Sequence, residues 1–216
     1  MNGRNVPMLC LACLMAFLAC STTHAGVVVW PDHPDGEPHA YLLVEAGEPD
    51  PDFDLHWDWD NARDLAWGTT FPGMPEENGY LATITSDLEQ QFIEDYVLTP
   101  EYDDPFNKLA WIGGVEPQDD GNWEWITDEP WDFENWAPGE ANDLDGADGA
   151  SEDYLQMYRC DSPYEYGYRY GQWNDALLSS PAHQRHHGYL VEFSVPEPAT
   201  LSLLAFGGLA LLRRKR

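Results

Sequence analysis

Cysteine placement is the tightest constraint on this chain. Three of its four cysteines, Cys10, Cys13 and Cys20, fall in the first 25 residues, which leaves Cys160 alone in the remainder. Residues 1–25 have a basic start at Arg4, an apolar run from Met8 to Cys20, and Thr23-His24-Ala25 before Gly26. That is the pattern of a secretory signal cut after Ala25. A lipoprotein cut at Cys20 is the alternative, but Phe17-Leu18-Ala19 is a poor lipobox. An exported domain with one cysteine forms no internal disulfide. Any long loop must then be held by other means. Hydrophobic residues make up 43% of the chain and Trp occurs 10 times, which argues for a packed core and against disorder.

A length of 216 residues suits one domain with tails. Asp and Glu number 39 against 10 Lys and Arg, a net charge of −29. Repulsion from phosphate makes nucleic acid a poor partner. Divalent cations and neutral ligands suit such a surface better. Half of the basic residues lie at the two ends; Arg63, Lys108, Arg159, Arg169 and Arg185 are those between.

The C-terminal segment 195–216 reads VPEPATLSLLAFGGLALLRRKR. Its apolar run, 199–212, falls short of the ~20 residues of a comfortable bilayer span. Arg213, Arg214, Lys215 and Arg216 follow at once and favour the cytoplasmic side. Pro-Glu-Pro at 196–198, a short apolar helix and a basic end, in that order, resemble the PEP-CTERM sorting signal. The resemblance implies a Gram-negative-type bacterium and a transient transmembrane helix in the tail. It also implies an exosortase as processing partner, with delivery to the cell surface or the extracellular polysaccharide matrix. A plain C-terminal anchor is the alternative.

Between the ends, residues 26–39 (GVVVWPDHPDGEPH) are punctuated by Pro and His and suggest a lead-in segment. Ala40 to Val44 suits a first strand. In WDWDNARDLAWG, Ala62, Leu65 and Ala66 share a helical face that stops at Gly68. Leu81 to Thr85 suits a strand, and Ser86 with Glu89 forms a capping box. Leu88, Phe92, Ile93, Tyr96 and Val97 then recur at helical spacing. From Leu109 the pattern becomes strand-like: LAWIGG, then NWEWI with Trp123 and Trp125 on one face, then 154–158 and 189–193. Two early helices followed by short strands give an α+β plan. The stretch 126–153 is a long loop, and loops of that length in compact domains are usually functional or disordered.

The order of these pieces resembles the C-type lectin-like domain. WDNARDLA and GYLATITSDLEQQFI match its two helical segments, and WIGG at 111–114 its signature strand. NWEWITDEPWDFENWAPGEAND matches its long loop, and SEDYLQM, GQWND and GYLVEF complete it. The resemblance implies a C-type lectin-like domain over 40–194, with short antiparallel strands and Ca²⁺ at the tip of the loop. The ligands it implies are Glu140, Asn142, Glu152, Asn174 and Asp175. A second, auxiliary calcium site maps to Glu116, Asp120, Asp143, Glu152 and Asp153, although Asp120-Gly121 also reads as a hairpin turn. The chemistry agrees, since Ca²⁺ takes six to eight oxygens. Carboxylates and amide carbonyls supply them, and an amide donates from nitrogen to a sugar hydroxyl at the same time. The resemblance implies a carbohydrate or extracellular polysaccharide as partner. The order Glu-Asn implies mannose, glucose or fucose types before galactose.

Two departures stand out. Ala141 occupies the position of the family's central proline, whose peptide is cis there. Before other residues the cis form is disfavoured, so the sequence leaves the loop's geometry open. The family's disulfides are also missing, with Tyr154 where a Cys is expected. In the insertion 159–171, Tyr164, Tyr166, Tyr168 and Tyr170 share a face of any extended segment; they either stack on sugars or pack as a flap. His183, His186 and His187 lie in a polar loop, either solvent-facing or metal-binding. Glu140 and Glu152 also pair as carboxylates in the manner of a glycoside hydrolase. No Ser-His-Asp order, Gly-rich phosphate loop or zinc signature appears, so no enzyme is expected. A non-enzymatic adhesive or structural surface protein, with calcium structural or lost, is the competing reading.

Overall fold

The computed structural model describes residues 26–45, 58–98, 109–143, 151–159, 170–178 and 187–195. The export signal, the C-terminal tail from 196, Cys160, Tyr164 to Tyr168, His183 and His186 lie outside the described residues. Two strands open the chain, β1 (Val27–Trp30) and β2 (His39–Val44). They pair antiparallel with Val27 opposite Leu42. Within the lead-in segment 26–39, Val27–Trp30 and His39 are thus sheet residues. The turn between the strands explains why: Pro34, Asp35 and Gly36 follow His33, Gly36 adopts φ 95°, and its N–H donates to the His33 carbonyl.

Helix α1 (Trp59–Gly68) starts at Asp58, whose carboxylate accepts the Asn61 N–H at 2.7 Å. Ala62 and Ala66 are buried, as their spacing requires, with Trp59 beside them; Leu65 points outward and is 47% exposed. A short hairpin follows, β3 (Thr70–Phe71) and β4 (Met74–Asn78), then β5 (Tyr80–Leu81). Helix α2 (Asp87–Phe92) is capped by Ser86, which accepts the Glu89 N–H at 3.2 Å. Glu89 does not complete the capping box. Its carboxylate accepts the Thr85 N–H and the Tyr41 hydroxyl. One π turn, Ile93–Val97, ends the helix and buries Ile93 and Val97, while Leu88 and Tyr96 are exposed.

The remaining strands are β6 (Leu109–Val115), β7 (Glu124–Trp125), β8 (Tyr154–Tyr158), β9 (Trp173–Ala176) and β10 (His187–Ser194). The sheet runs β1-β2-β10-β6-β8-β9, with β5 joined to β10 and β7 to β6. The β6–β10 pair is parallel and the other pairs are antiparallel. Alternation splits the core across the two faces. Ala40, Trp111, Tyr189, Val191 and Phe193 pack with Trp59 and Ala66 of α1. Tyr41, Ile112, Leu155, Met157, Trp173 and Leu190 pack with Ile93 and Val97. Covered on both faces, β6 is buried along nearly its whole length. Its glycines permit that: a Cβ on Gly113 would lie 2.6 Å from the Leu81 carbonyl oxygen, and one on Gly114 2.5 Å from Leu155 Cδ2. Among the described residues no helix is long and apolar enough to cross a membrane.

Candidate functional site

The loop from 126 to 153 leaves the sheet at β7 and returns at β8. Its first half is held by rings. Trp131 stacks near Trp123 and lies 4.4 Å, centroid to centroid, from Trp125. Trp125, Trp131, Phe133 and Trp136 all approach the wholly buried Trp173 at 5.5 to 6.0 Å. Such tilted and edge-on pairs suit the ring quadrupole. Backbone pairing adds to them. Trp173 donates its N–H to the Asn135 carbonyl at 2.8 Å and accepts from Ala137 at 2.9 Å. The Trp173 ring N–H is taken by Gln90 Oε1 of α2 at 3.0 Å.

Beyond Ala137 the loop turns and becomes acidic. Glu140 donates its N–H to the Ala137 carbonyl at 3.0 Å, across Pro138 and Gly139. Gly139 has φ 95°, the arrangement of a type II turn with Pro at its second position and Gly at its third. The Glu140–Ala141 peptide is cis. The Asn142 side-chain amide donates to Glu140 Oε2. Asp143, at φ 46°, donates its N–H to Asp175 Oδ2 at 2.7 Å.

Asp175 is the hub. It follows Trp173 on the same face of β9 and is 1% exposed. Burial pushes its carboxyl above the usual carboxylate range, the nearby charge of Glu140 adds to the rise, and the N–H groups of Asp143, Asp175 and Asn142 pull it back. Its Oδ2 is taken by Asp143, but its Oδ1 is buried without a hydrogen-bond partner. Asn174, on the opposite face, accepts the Tyr158 hydroxyl at 3.0 Å and turns its amide N–H toward the Asp175 carbonyl. Glu152 donates its N–H to Asp143 Oδ1 at 3.2 Å. Glu140, Asn142, Asp143, Glu152 and Asp175 therefore form one group, and Asn174 borders it with its amide oxygen engaged by Tyr158.

The residues of the second cluster are spread along its edge. Glu116 is buried, donates its N–H to the Asp153 carbonyl at 2.9 Å, and accepts the Gly121 N–H. Asp120 accepts the Asn122 N–H at 3.1 Å within the β6–β7 hairpin, the turn that Asp120-Gly121 suggested. Asp153 Oδ1 is buried and unpartnered. Two participants, Asp119 and Ser151, had no individual signal in the sequence. Asp119 and Asp143 both accept from the Ser151 hydroxyl, each at 2.9 Å. Asp119 adopts φ 49° beside the glycine turn, and its neighbour Asp120 is the residue that spacing favours.

This donor set fits Ca²⁺. Every candidate group is an oxygen donor, and two buried carboxylate oxygens, Asp175 Oδ1 and Asp153 Oδ1, have no hydrogen-bond partner. A buried carboxylate oxygen left unpaired is costly, and a hard cation satisfies it.

A sheet covered on both faces, carrying a loop clamped by aromatic rings and tipped with oxygen donors, defines a ligand-binding domain of α+β class. Residues 75–176 match the family model of the lectin C-type domain, and residues 194–216 match that of the PEP-CTERM protein-sorting motif. The region 75–176 is thus of the C-type lectin-like family, and a PEP-CTERM motif follows at 194–216. The chain is similar to human C-type lectin domain family 10 member A, 27% identical over 128 residues, covering 58% of this chain and 34% of that protein. It is also similar to the type-2 ice-structuring protein of Brachyopsis segaliensis, 29% identical over 86 residues, covering 40% of this chain and 46% of that protein. The chain thus spans less than half the length of either relative. Among solved structures, the cow CD23 carbohydrate-recognition domain aligns with a TM-score of 0.48 at 23% identity, covering 74% of this chain and 90% of that one.

Proposed function

We propose that the protein is a calcium-dependent carbohydrate-binding module, exported and displayed at the surface or in the polysaccharide matrix of a bacterium. The observation that carries this reading is the contact chain from Glu152 through Asp143 to Asp175, with Glu140 and Asn142 paired beside it and Asp175 Oδ1 buried without a partner. Glu140, Asn142, Glu152, Asn174 and Asp175 would hold the ion. Glu116, Asp120, Asp143, Glu152 and Asp153 would hold a second one. Bound calcium supplies a hard Lewis acid to which adjacent sugar hydroxyls can bind in place of water.

The chain's own residues do the discrimination. Glu140 accepts from a hydroxyl, and the Asn142 and Asn174 amides donate to one. That order favours mannose, glucose or fucose types. A shallow site of this kind binds at about millimolar dissociation constants, or roughly −4 kcal/mol, so adhesion needs several copies. The PEP-CTERM motif supports processing by an exosortase, with membrane contact confined to the tail.

The test is a glycan array probed with the protein in Ca²⁺ and in EDTA, beside Asp175→Asn. Retention on mannose-type glycans that EDTA and Asp175→Asn both abolish is the expected result. Calcium binding with no glycan retention would transfer the assignment to an adhesive protein whose partner is a protein. Ala141 in place of the family's proline, and similarity to an ice-structuring protein, favour that second reading.

A further inference from the structure

A second polar cluster lies far from the loop tip, on the β1–β2 hairpin. The turn His33-Pro34-Asp35-Gly36 sets two side chains beside the first residue of β2, His39. His33 Nδ1 is 2.8 Å from Asp35 Oδ1, and His39 Nε2 is 2.9 Å from Asp35 Oδ2. The imidazoles stack with centroids 3.9 Å apart and planes 13° from parallel. Both rings are buried, at 6% and 5% exposure, whereas the Asp35 side chain is 46% exposed.

We propose that His33, Asp35 and His39 form a transition-metal site that takes Zn²⁺. One donor atom from each of the three lies within 4.8 Å of the others. Two imidazoles and one carboxylate are a zinc-type donor set, with a fourth position left for water. Donor atoms around a tetrahedral zinc with bonds of about 2.0 Å sit roughly 3.3 Å apart. Asp35 already places a carboxylate oxygen 2.8 and 2.9 Å from the two ring nitrogens, and its exposed edge is the way in.

The atoms behind the rings strengthen this reading. Metal-bound histidines hand their other ring N–H to a carboxylate, which fixes the tautomer and raises ligand basicity. His39 meets Glu192 Oε1 through Nδ1 at 2.5 Å, so Nε2 faces Asp35. His33 Nε2 is buried without a hydrogen bond and points toward Glu89 Oε1 at 3.7 Å. Both carboxylates are buried and anchored. Glu192 also accepts the Thr83 N–H at 2.9 Å, and Glu89 the Thr85 N–H at 2.8 Å. The pocket is already arranged for positive charge. Three carboxylates, Asp35, Glu89 and Glu192, lie around the two rings. A divalent cation supplies that charge in place of protons. It would staple the β1–β2 hairpin to β10 in a domain whose described residues include no cysteine.

The experiment loads the full chain with Zn²⁺ or Co²⁺ in saturating Ca²⁺, dialyses it, and measures metal content and visible Co²⁺ absorption. It compares the parent with Asp35→Asn, His33→Gln and Glu192→Gln. Saturating Ca²⁺ occupies the acidic loop first, so the result does not depend on whether that loop reads sugar. One retained Zn²⁺ per chain, with Co²⁺ d–d bands, is expected for the parent. His33→Gln should lose both. Asp35→Asn, at an exposed turn that tolerates the change, should bind at least roughly tenfold more weakly, and Glu192→Gln about 10–100-fold more weakly. Absence of retained zinc in the parent overturns the proposal. So does zinc held equally by Asp35→Asn and His33→Gln, which would place the metal on other histidines.

Discussion

The stem and the tip of the long loop solve one problem in opposite ways. Both must order backbone without a disulfide. The stem, from Trp123 to Ala137, does so with apolar mass: four Trp rings and Phe133 converge on or around Trp173. It needs no ion, and its backbone is pinned through Asn135 and Ala137 to Trp173. The tip, from Glu140 to Asp153, has almost no apolar mass. Among its described residues, 140–143 and 151–153, hydrogen bonds run from N–H and O–H groups to carboxylates, and Asp175 Oδ1 and Asp153 Oδ1 are left over. Packing therefore specifies where the tip hangs, and polar contacts alone order the tip itself. The two halves meet on one strand, since Trp173 and Asp175 are two residues apart on the same face of β9.

The largest effect should come from cutting the stem. Trp173→Ala removes a wholly buried ring, its four aromatic neighbours' contacts and the Gln90 hydrogen bond. A loss of about 3–5 kcal/mol is expected from urea unfolding. Calcium should not restore it, because the strand that carries Asp175 loses its anchor. Full recovery of parental stability in calcium would show that the tip, not the rings, holds the loop.

Next in size is removal of the ion. Calcium at 100 times its dissociation constant adds about 2.7 kcal/mol. Magnesium should add much less, since it gives up its water reluctantly. Melts in EDTA, Mg²⁺ and Ca²⁺ measure this directly. Asp175→Asn sharpens the contrast. Burial and Glu140 both disfavour the Asp175 charge. The neutral amide should therefore melt no lower than the parent in EDTA, and should gain nothing from calcium. Equal melting temperatures in all three solutions for the parent would remove calcium from the tip.

What was legible in the sequence follows the same division. Packed elements announced themselves: LAWIGG read as a buried strand, and Ser86 before DLEQQF marked the start of α2. The Trp123/Trp125 alternation placed both rings inward. The nine candidate ligand positions came from the order of motifs; among them, Asp143 bonds directly to Asp175, and Glu116, Asp120 and Asp153 lie apart along the edge. Elements whose reason lies in distant partners were silent. β1 was hidden by Pro31 and Pro34, and MPEEN of β4 shows no alternation. Leu88 and Tyr96 fit the helical period yet face outward, because α2 is short and its last turn is a π turn. The His39–Glu192 contact spans 153 residues, a separation at which no local pattern can report it.

The smallest effect belongs to Ser151, and it tests whether the tip is a set of separate acids or one unit. Its hydroxyl lies 2.9 Å from both Asp119 Oδ1 and Asp143 Oδ1. One hydroxyl has one proton, so it can donate to only one of them at a time. The second carboxylate is then short of a donor, and Asp143 is the residue whose N–H reaches Asp175. Ser151→Ala removes that shared donor without adding charge or bulk. If the tip is one unit, the loss should pass through Asp143 to the calcium held at Asp175, at about 0.5–1.5 kcal/mol. Since 1.4 kcal/mol is a factor of ten, calcium affinity by calorimetric titration should fall several-fold, to roughly tenfold at most. Urea unfolding in EDTA should change little, because the Ser151 hydroxyl bonds to Asp119 and Asp143 outside the aromatic stem. A calcium affinity equal to the parent's would mean that Asp143 holds its place without Ser151. A fall in EDTA stability as large as that of Trp173→Ala would erase the division between stem and tip.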